Sequence, residues 1–155
     1  KTALPIMAGA KIAGLLASAR LEHIEAVGDF GLNLGMAFQI VDDILDVVGD
    51  RTRLGKQAGT DIREGNVTLV AIHALNDGST IDVAALSRLI RKRRKQEKEV
   101  QRALGLLRDS NAVDKAGADA FAFGQIAKKS LDSIVDSPAK ANMVRLVDFV
   151  LSREV

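Results

Sequence analysis

In 155 residues, 22 lysines and arginines face 20 aspartates and glutamates, a mixed surface that excludes the single-sign field of a polyanion binder; no nucleic-acid partner is expected. The absence of cysteine excludes a disulfide framework and any thiolate metal site, which leaves the cytoplasm as the default compartment. A hydrophobic share of 47% is ample for a core, and one domain over residues 1–155 is expected.

The apolar opening ALPIMAGAKIAGLLASA carries Lys11 near its middle and is short for a membrane span. It predicts a buried core helix rather than a transmembrane segment, and Lys1 is followed directly by patterned sequence without a signal-peptide layout. A second helix is predicted from about Glu22 to Val48, with Gly49 as its stop signal. The polar, glycine-rich stretch GDRTRLGKQAGTDIREGN follows as the longest non-helical segment. Thr68 to Leu75 reads as a short helix, and Ile81 to about Asp109 as one charged helix or two joined by a bend.

Within that region RKRRKQEK, Arg91 to Lys98, reads as a solvated helix face, because no phenylalanine lies nearby to stack on a base. Farther on, Ala116, Ala120, Phe123, Ala127, Leu131 and Ile134 recur at spacings of three and four, which predicts a core stripe. The last helix starts with Ser137 as N-cap and Pro138 in its first turn, and turns Met143, Val144, Val147, Val150 and Leu151 inward. No run of alternating β-branched residues interrupts these patterns, so the class is all-α. His23 and His73 lack metal-ligand spacing and read as structural.

The second helix contains FQIVDDILDVVGD, where acids stand close to the C-terminus. Like charges one turn apart repel, and acids near a C-terminus oppose the helix macrodipole. At 100° per residue, with Gln39 at zero, Asp42 falls near ~−60°, Asp46 near ~−20° and Asp43 near ~+40°. Gly28, Gly31 and Gly35 share that arc, so one strip changes from glycine to acid along the helix. Phe38, Ile40, Val41, Ile44, Leu45, Val47 and Val48 bury the rest, and the acids are expected to face a cavity. Carboxylates enclosed there need a cation or a ring of donors, and a hard divalent ion such as Mg2+ bridged to phosphate suits an all-oxygen set. The alternative is a hydrated polar stripe.

The following segment offers Lys56, Asp61 and Arg63 among Gly55, Gly59 and Gly65, which suits contacts to a phosphate. It is not a Walker A loop, because Gln57 stands where Ser or Thr is needed, and the aspartate spacing is not that of an EF-hand.

GMAFQIVDDILD resembles the second aspartate-rich motif of the trans-isoprenyl diphosphate synthases, or polyprenyl synthetases. LGKQAGTDIREGNVTL resembles the segment that follows it, KTA the family's Lys-Thr motif, and FVLSREV the way such chains end. The resemblance spans the chain in the right order. It implies an all-α helical bundle around a central cavity, in which two aspartate-rich motifs face each other across magnesium ions, with Mn2+ as a substitute. The family's first motif and its pocket for isopentenyl diphosphate lie upstream of the Lys-Thr motif. The chain is therefore expected to be a C-terminal half, whether a truncated gene product, a trimmed species or a partner subunit.

By the same resemblance Asp42 would be the main metal ligand, with Asp43 and Asp46 completing the site directly or through water. Lys1 and Lys56 would hold an allylic diphosphate, Thr2 and Gln39 would set oxygens near the allylic cation, and Asp61 would orient Lys56 or a metal-bound water. The implied activity is condensation of an allylic diphosphate with isopentenyl diphosphate in a homo- or hetero-oligomer. A non-catalytic partner subunit that keeps the fold for assembly is the alternative. Two positions depart from the family: Asn66 stands where lysine is usual, giving a diphosphate at most a neutral hydrogen bond, and Val70 stands where proline is common.

Overall fold

The structure is a computed structural model that describes residues 1–49, 58–77 and 81–153. Among the described residues it is all-helical: α1 (Ala3–Leu16), α2 (Leu21–Val48), α3 (Thr60–Glu64), α4 (Leu69–Asn76), α5 (Val83–Arg91), α6 (Glu97–Arg108), α7 (Ala112–Ser130) and α8 (Pro138–Leu151). They fall into two compact units, Lys1–Gln39 with Asp119–Arg153, and Ile40–Ala118.

In the first unit, α2 presents glycines to α1. A Cβ on Gly35 would lie 2.5 Å from the Ala3 Cα, and one on Gly31 would lie 3.1 Å from the Met7 Cα, so backbone packs on backbone. Ala3 meeting Gly35 and Met7 meeting Gly31 makes the pair antiparallel. The glycine half of the strip on α2 is therefore closed by α1. Other residues of α2, Phe30, Leu34 and Ala37, form a core with Ala127, Leu131, Val147 and Val150, against which Phe123, Ile134, Met143, Val144 and Leu151 pack. The predicted stripe and the inward face of the last helix are thus found as expected. Ser137 accepts from the Lys140 N–H at 3.2 Å, and Pro138 opens α8.

The opening helix corrects the reading of a buried core helix. Only Ala3 is buried in α1, while Leu15 is 63% and Leu16 83% exposed. Apolar side chains surround this helix, so its sequence selects no face, and only the side that meets the glycines is covered.

In the second unit α4, α5 and α6 pack on one another, and α3 packs on α6. Their buried side chains are Val70, Ala71 and Ala74 on α4, Leu86 and Ile90 on α5, and Val100, Leu104 and Leu107 on α6. The short helix read from Thr68 starts at Leu69, with Thr68 as its cap accepting from the Ala71 N–H at 3.4 Å. The charged region 81–109 is two helices. Lys92 turns to an extended conformation, and α6 begins at Glu97, with Glu99 accepting from the Gln96 N–H at 2.9 Å and from Lys92 Nζ at 2.5 Å. Arg91, Lys92, Arg93 and Arg94 are exposed as expected, but only Arg91 is helical, and the other three lie on the link after α5.

The expected non-helical stretch also needs correction, since α3 lies within it. Gly59 (φ 87°) and Gly65 (φ 80°) bound α3 in the left-handed region, where a side chain is strained. Space imposes the same choice at Gly59, whose Cβ would meet Val100 Cγ1 at 2.8 Å.

Candidate functional site

The first unit carries an open cleft of about 460 Å³ lined by Lys1, Thr2, Leu4, Leu32, Met36 and Gln39. Thr2 precedes α1 but makes no side-chain cap there. Its hydroxyl instead donates to the Gln39 amide oxygen at 2.7 Å. That bond is possible because α1 meets α2 so closely at Gly35, one turn before Gln39. Two side-chain oxygens and the exposed Lys1 thus line one cleft.

The acids of α2 belong to the second unit. Ile40, Val41, Ile44, Leu45 and Val47 are buried, as the helix pattern predicts. The acids themselves are not enclosed, contrary to the expectation of a cavity: Asp42 is exposed, and Asp43 and Asp46 are half-buried. They stand away from the buried stripe of α2, and the segment that begins at Gly59 is hydrogen-bonded to Asp46.

That covering removes the difficulty raised by an acid at a helix end. Asp46 Oδ1 accepts the Thr60 N–H and Oδ2 the Asp61 N–H, each at 3.0 Å, while the Asp46 carbonyl accepts the Gly59 N–H at 2.8 Å. A carboxylate that opposes the dipole of its own helix satisfies the unpaired donors that open the next one.

Asp61, carried on α3, has its carboxyl held above the ordinary value by burial, with Asp46, Glu64 and Asp42 adding like-charge repulsion and the Asn66 hydrogen bond opposing them. Asn66 Nδ2 donates to Asp61 Oδ1 and to Glu64 Oε2, each at 3.0 Å. The amide at the position where the family usually has lysine is therefore spent on two carboxylates. Arg63 does not face these acids: it donates to Glu97 at 3.0 Å and to the Ala58 carbonyl at 2.8 Å, tying α3 to α6. Sequence reading missed Glu64 as a member of the acidic group and Glu97 as the partner of Arg63. Glu64 lies three residues after Asp61 on a helix, a spacing that would have shown the first; nothing local points to the second. Lys56 lies outside the described residues.

Among the described residues, no three acidic or histidine side chains converge on a point that could hold a metal. The donor chemistry nevertheless fits a hard divalent cation. Among the described residues carboxylate and amide oxygens are offered, and the charges of Asp42, Asp46 and Glu64 reach Asp61.

The sequence profile of the family described as Polyprenyl synthetase matches residues 1–107. The chain belongs to this family. It is 36% identical to the short chain isoprenyl diphosphate synthase of Methanothermobacter thermautotrophicus over 99% of this chain and 47% of that protein. It is 32% identical to the geranylgeranyl diphosphate synthase of Methanosarcina mazei over 99% of this chain and 46% of that one. The chain spans about half the length of the curated relatives it matches. Among solved structures, the polyprenyl synthase of Caulobacter crescentus, complexed with calcium and isoprenyl diphosphate, superposes with a TM-score of 0.90 at 34% identity, covering 100% of this chain and 47% of that one. The geranylgeranyl pyrophosphate synthetase of Pyrococcus horikoshii gives 0.84 at 32% identity over 99% and 46%. The all-α isoprenoid synthase fold predicted for this polyprenyl synthetase is thereby established. No described helix is long and apolar enough to cross a membrane.

Proposed function

We propose that this polyprenyl synthetase chain supplies the second aspartate-rich half-site for condensation of an allylic diphosphate with isopentenyl diphosphate. The observation that carries the reading is the pairing of Thr2 with Gln39 at 2.7 Å in a cleft shared with Lys1, on the helix that continues into Asp42 and Asp43. Lys1 binds the leaving diphosphate. As the allylic carbon–oxygen bond breaks, its electron pair stays with the diphosphate, and the cation left behind is faced by the lone pairs of Thr2 Oγ1 and Gln39 Oε1, donors that need no reorganisation. The alkene of isopentenyl diphosphate then forms the new carbon–carbon bond, and loss of a proton restores a double bond.

Asp42, with Asp43 beside it, would hold Mg2+ or Mn2+, and Lys56 would share the diphosphate with Lys1. A bound metal of this kind supplies charge neutralisation to the departing diphosphate. Asp61 orients groups around that position. The exposed apolar residues of α1 support assembly into an oligomer, and the chain's lack of cysteine supports the cytoplasm.

Because the relatives are about twice as long, the 155-residue chain alone is expected to make no prenyl product. The assay is incorporation of radiolabelled isopentenyl diphosphate by the pure chain, alone and with the complementary half of a related synthase. Rescue by the added half supports the reading, and full-rate turnover by the chain alone would sink it.

A further inference from the structure

We propose that Asp46, the third acid of the motif, is a positioning residue that anchors the segment Gly59–Asn66 to the end of α2, and is not a direct metal ligand. Three hydrogen bonds converge on this one residue from three successive backbone N–H groups: Gly59 to its carbonyl at 2.8 Å, Thr60 to Oδ1 and Asp61 to Oδ2 at 3.0 Å each. Both carboxylate oxygens are thus engaged, and in the geometry of a helix cap rather than of a ligand reaching outward. Asp42 differs in kind, being exposed on the same helix one turn earlier.

The anchored segment has little freedom of its own. Gly59 and Gly65 bracket it in left-handed conformations, Arg63 fastens it to Glu97, and Asn66 ties Asp61 to Glu64. Fixing its first two N–H groups therefore fixes where Asp61 stands. Asp61 is close enough to Asp42 for their charges to interact, although the two lie on different helices. Asp46 is the covalent neighbour of neither, and it determines their separation by holding one helix start against another helix end.

The part of this inference that concerns metal rests on the proposed role of Asp42; the anchoring part does not. Both can be read in the isotope-labelled 155-residue chain by amide hydrogen exchange in metal-free buffer, followed by Mn2+ titration with paramagnetic broadening as the signal. Removing an acceptor from a charge-assisted hydrogen bond should release the donor by at least about tenfold in exchange. Asp46→Ala is expected to speed exchange at Thr60 and Asp61 by that factor, and Asp46→Asn by less, because its amide oxygen can still accept one N–H. Asp42→Ala should leave both rates unchanged.

With Mn2+ present, Asp42→Ala should abolish broadening of the Val41 and Asp43 amides, and Asp46→Asn should retain it within a few fold. Unchanged exchange at Thr60 and Asp61 in Asp46→Ala overturns the anchoring role. Broadening lost in Asp46→Asn while its exchange stays slow overturns the assignment, because Asp46 is then a ligand. Broadening that survives Asp42→Ala counts against the proposed metal role of Asp42, while the exchange data still decide for or against the anchor.

Discussion

At the scale of single residues, charge in the second unit is arranged around Asp61. Its pKa in the folded state is raised above the ordinary 3.8, chiefly by burial. Between that ordinary value and the raised one, the folded protein keeps a proton that the unfolded chain has released, so stability falls as pH rises through this window. Above the window the loss is constant. Asp61→Asn keeps an oxygen for the Asn66 amide and removes the charge. In metal-free buffer its urea midpoint is expected to exceed that of the parent at pH 7 and to equal it near pH 3, and parallel pH profiles for the two proteins would refute this account. The acidic motif and its segment were legible as a unit from the sequence, because aspartates on a helix of apolar residues break a local rule. The bond from Thr60 to Asp46 was not, since it joins residues fourteen apart and depends on how the segment folds back.

Elements were legible where their ends are decided locally. Ser137 with Pro138 fixes the start of the last helix through its own side chain, and the structure reproduces it, while the helix read from Thr68 starts one residue later with Thr68 as its cap. α3 was hidden because five residues give no periodicity, and its limits are set by backbone conformations at Gly59 and Gly65. Helix pairing depends on glycines of two kinds, which can be told apart by experiment. A methyl group at Gly35 would strike the Ala3 backbone, which no side-chain rotation relieves, whereas at Gly9 of α1 nothing lies within 4 Å. Gly35→Ala is therefore expected to cost about 1–3 kcal/mol, and Gly9→Ala to gain roughly 0.5–1 kcal/mol through helix propensity. Denaturant midpoints of the two variants should move in opposite directions; a shift of the same sign in both would remove close approach as the reason for Gly35.

At the scale of the whole molecule, the sequence indicated the family and the all-α class but not which apolar surfaces meet one another. The weakly patterned α1 shows why: hydrophobicity predicts burial only when a partner for each face is known. Within the first unit Leu15 and Leu16 on α1 and Phe149 on α8 remain exposed. Surface of this kind on a lone chain favours association. Sedimentation velocity of the 155-residue chain is expected to show concentration-dependent oligomers, and Leu16→Lys with Phe149→Lys should shift the distribution towards monomer. Identical distributions for parent and double variant would show that these residues do not drive association.

The close fit of α1 on the glycines of α2 also bears on the order in which the first unit assembles. Only residues 17–20 connect the two helices, so their closure is a local event with a small loop-entropy cost. Joining Phe30, Leu34 and Ala37 to Val147 and Val150 instead brings together parts of the chain about a hundred residues apart, the kind of contact that slows folding. The helical hairpin consequently has the kinetic advantage. Where it forms before the long-range core, Gly35→Ala will act mainly by slowing folding, and a truncation within α8, which leaves the hairpin whole, mainly by speeding unfolding.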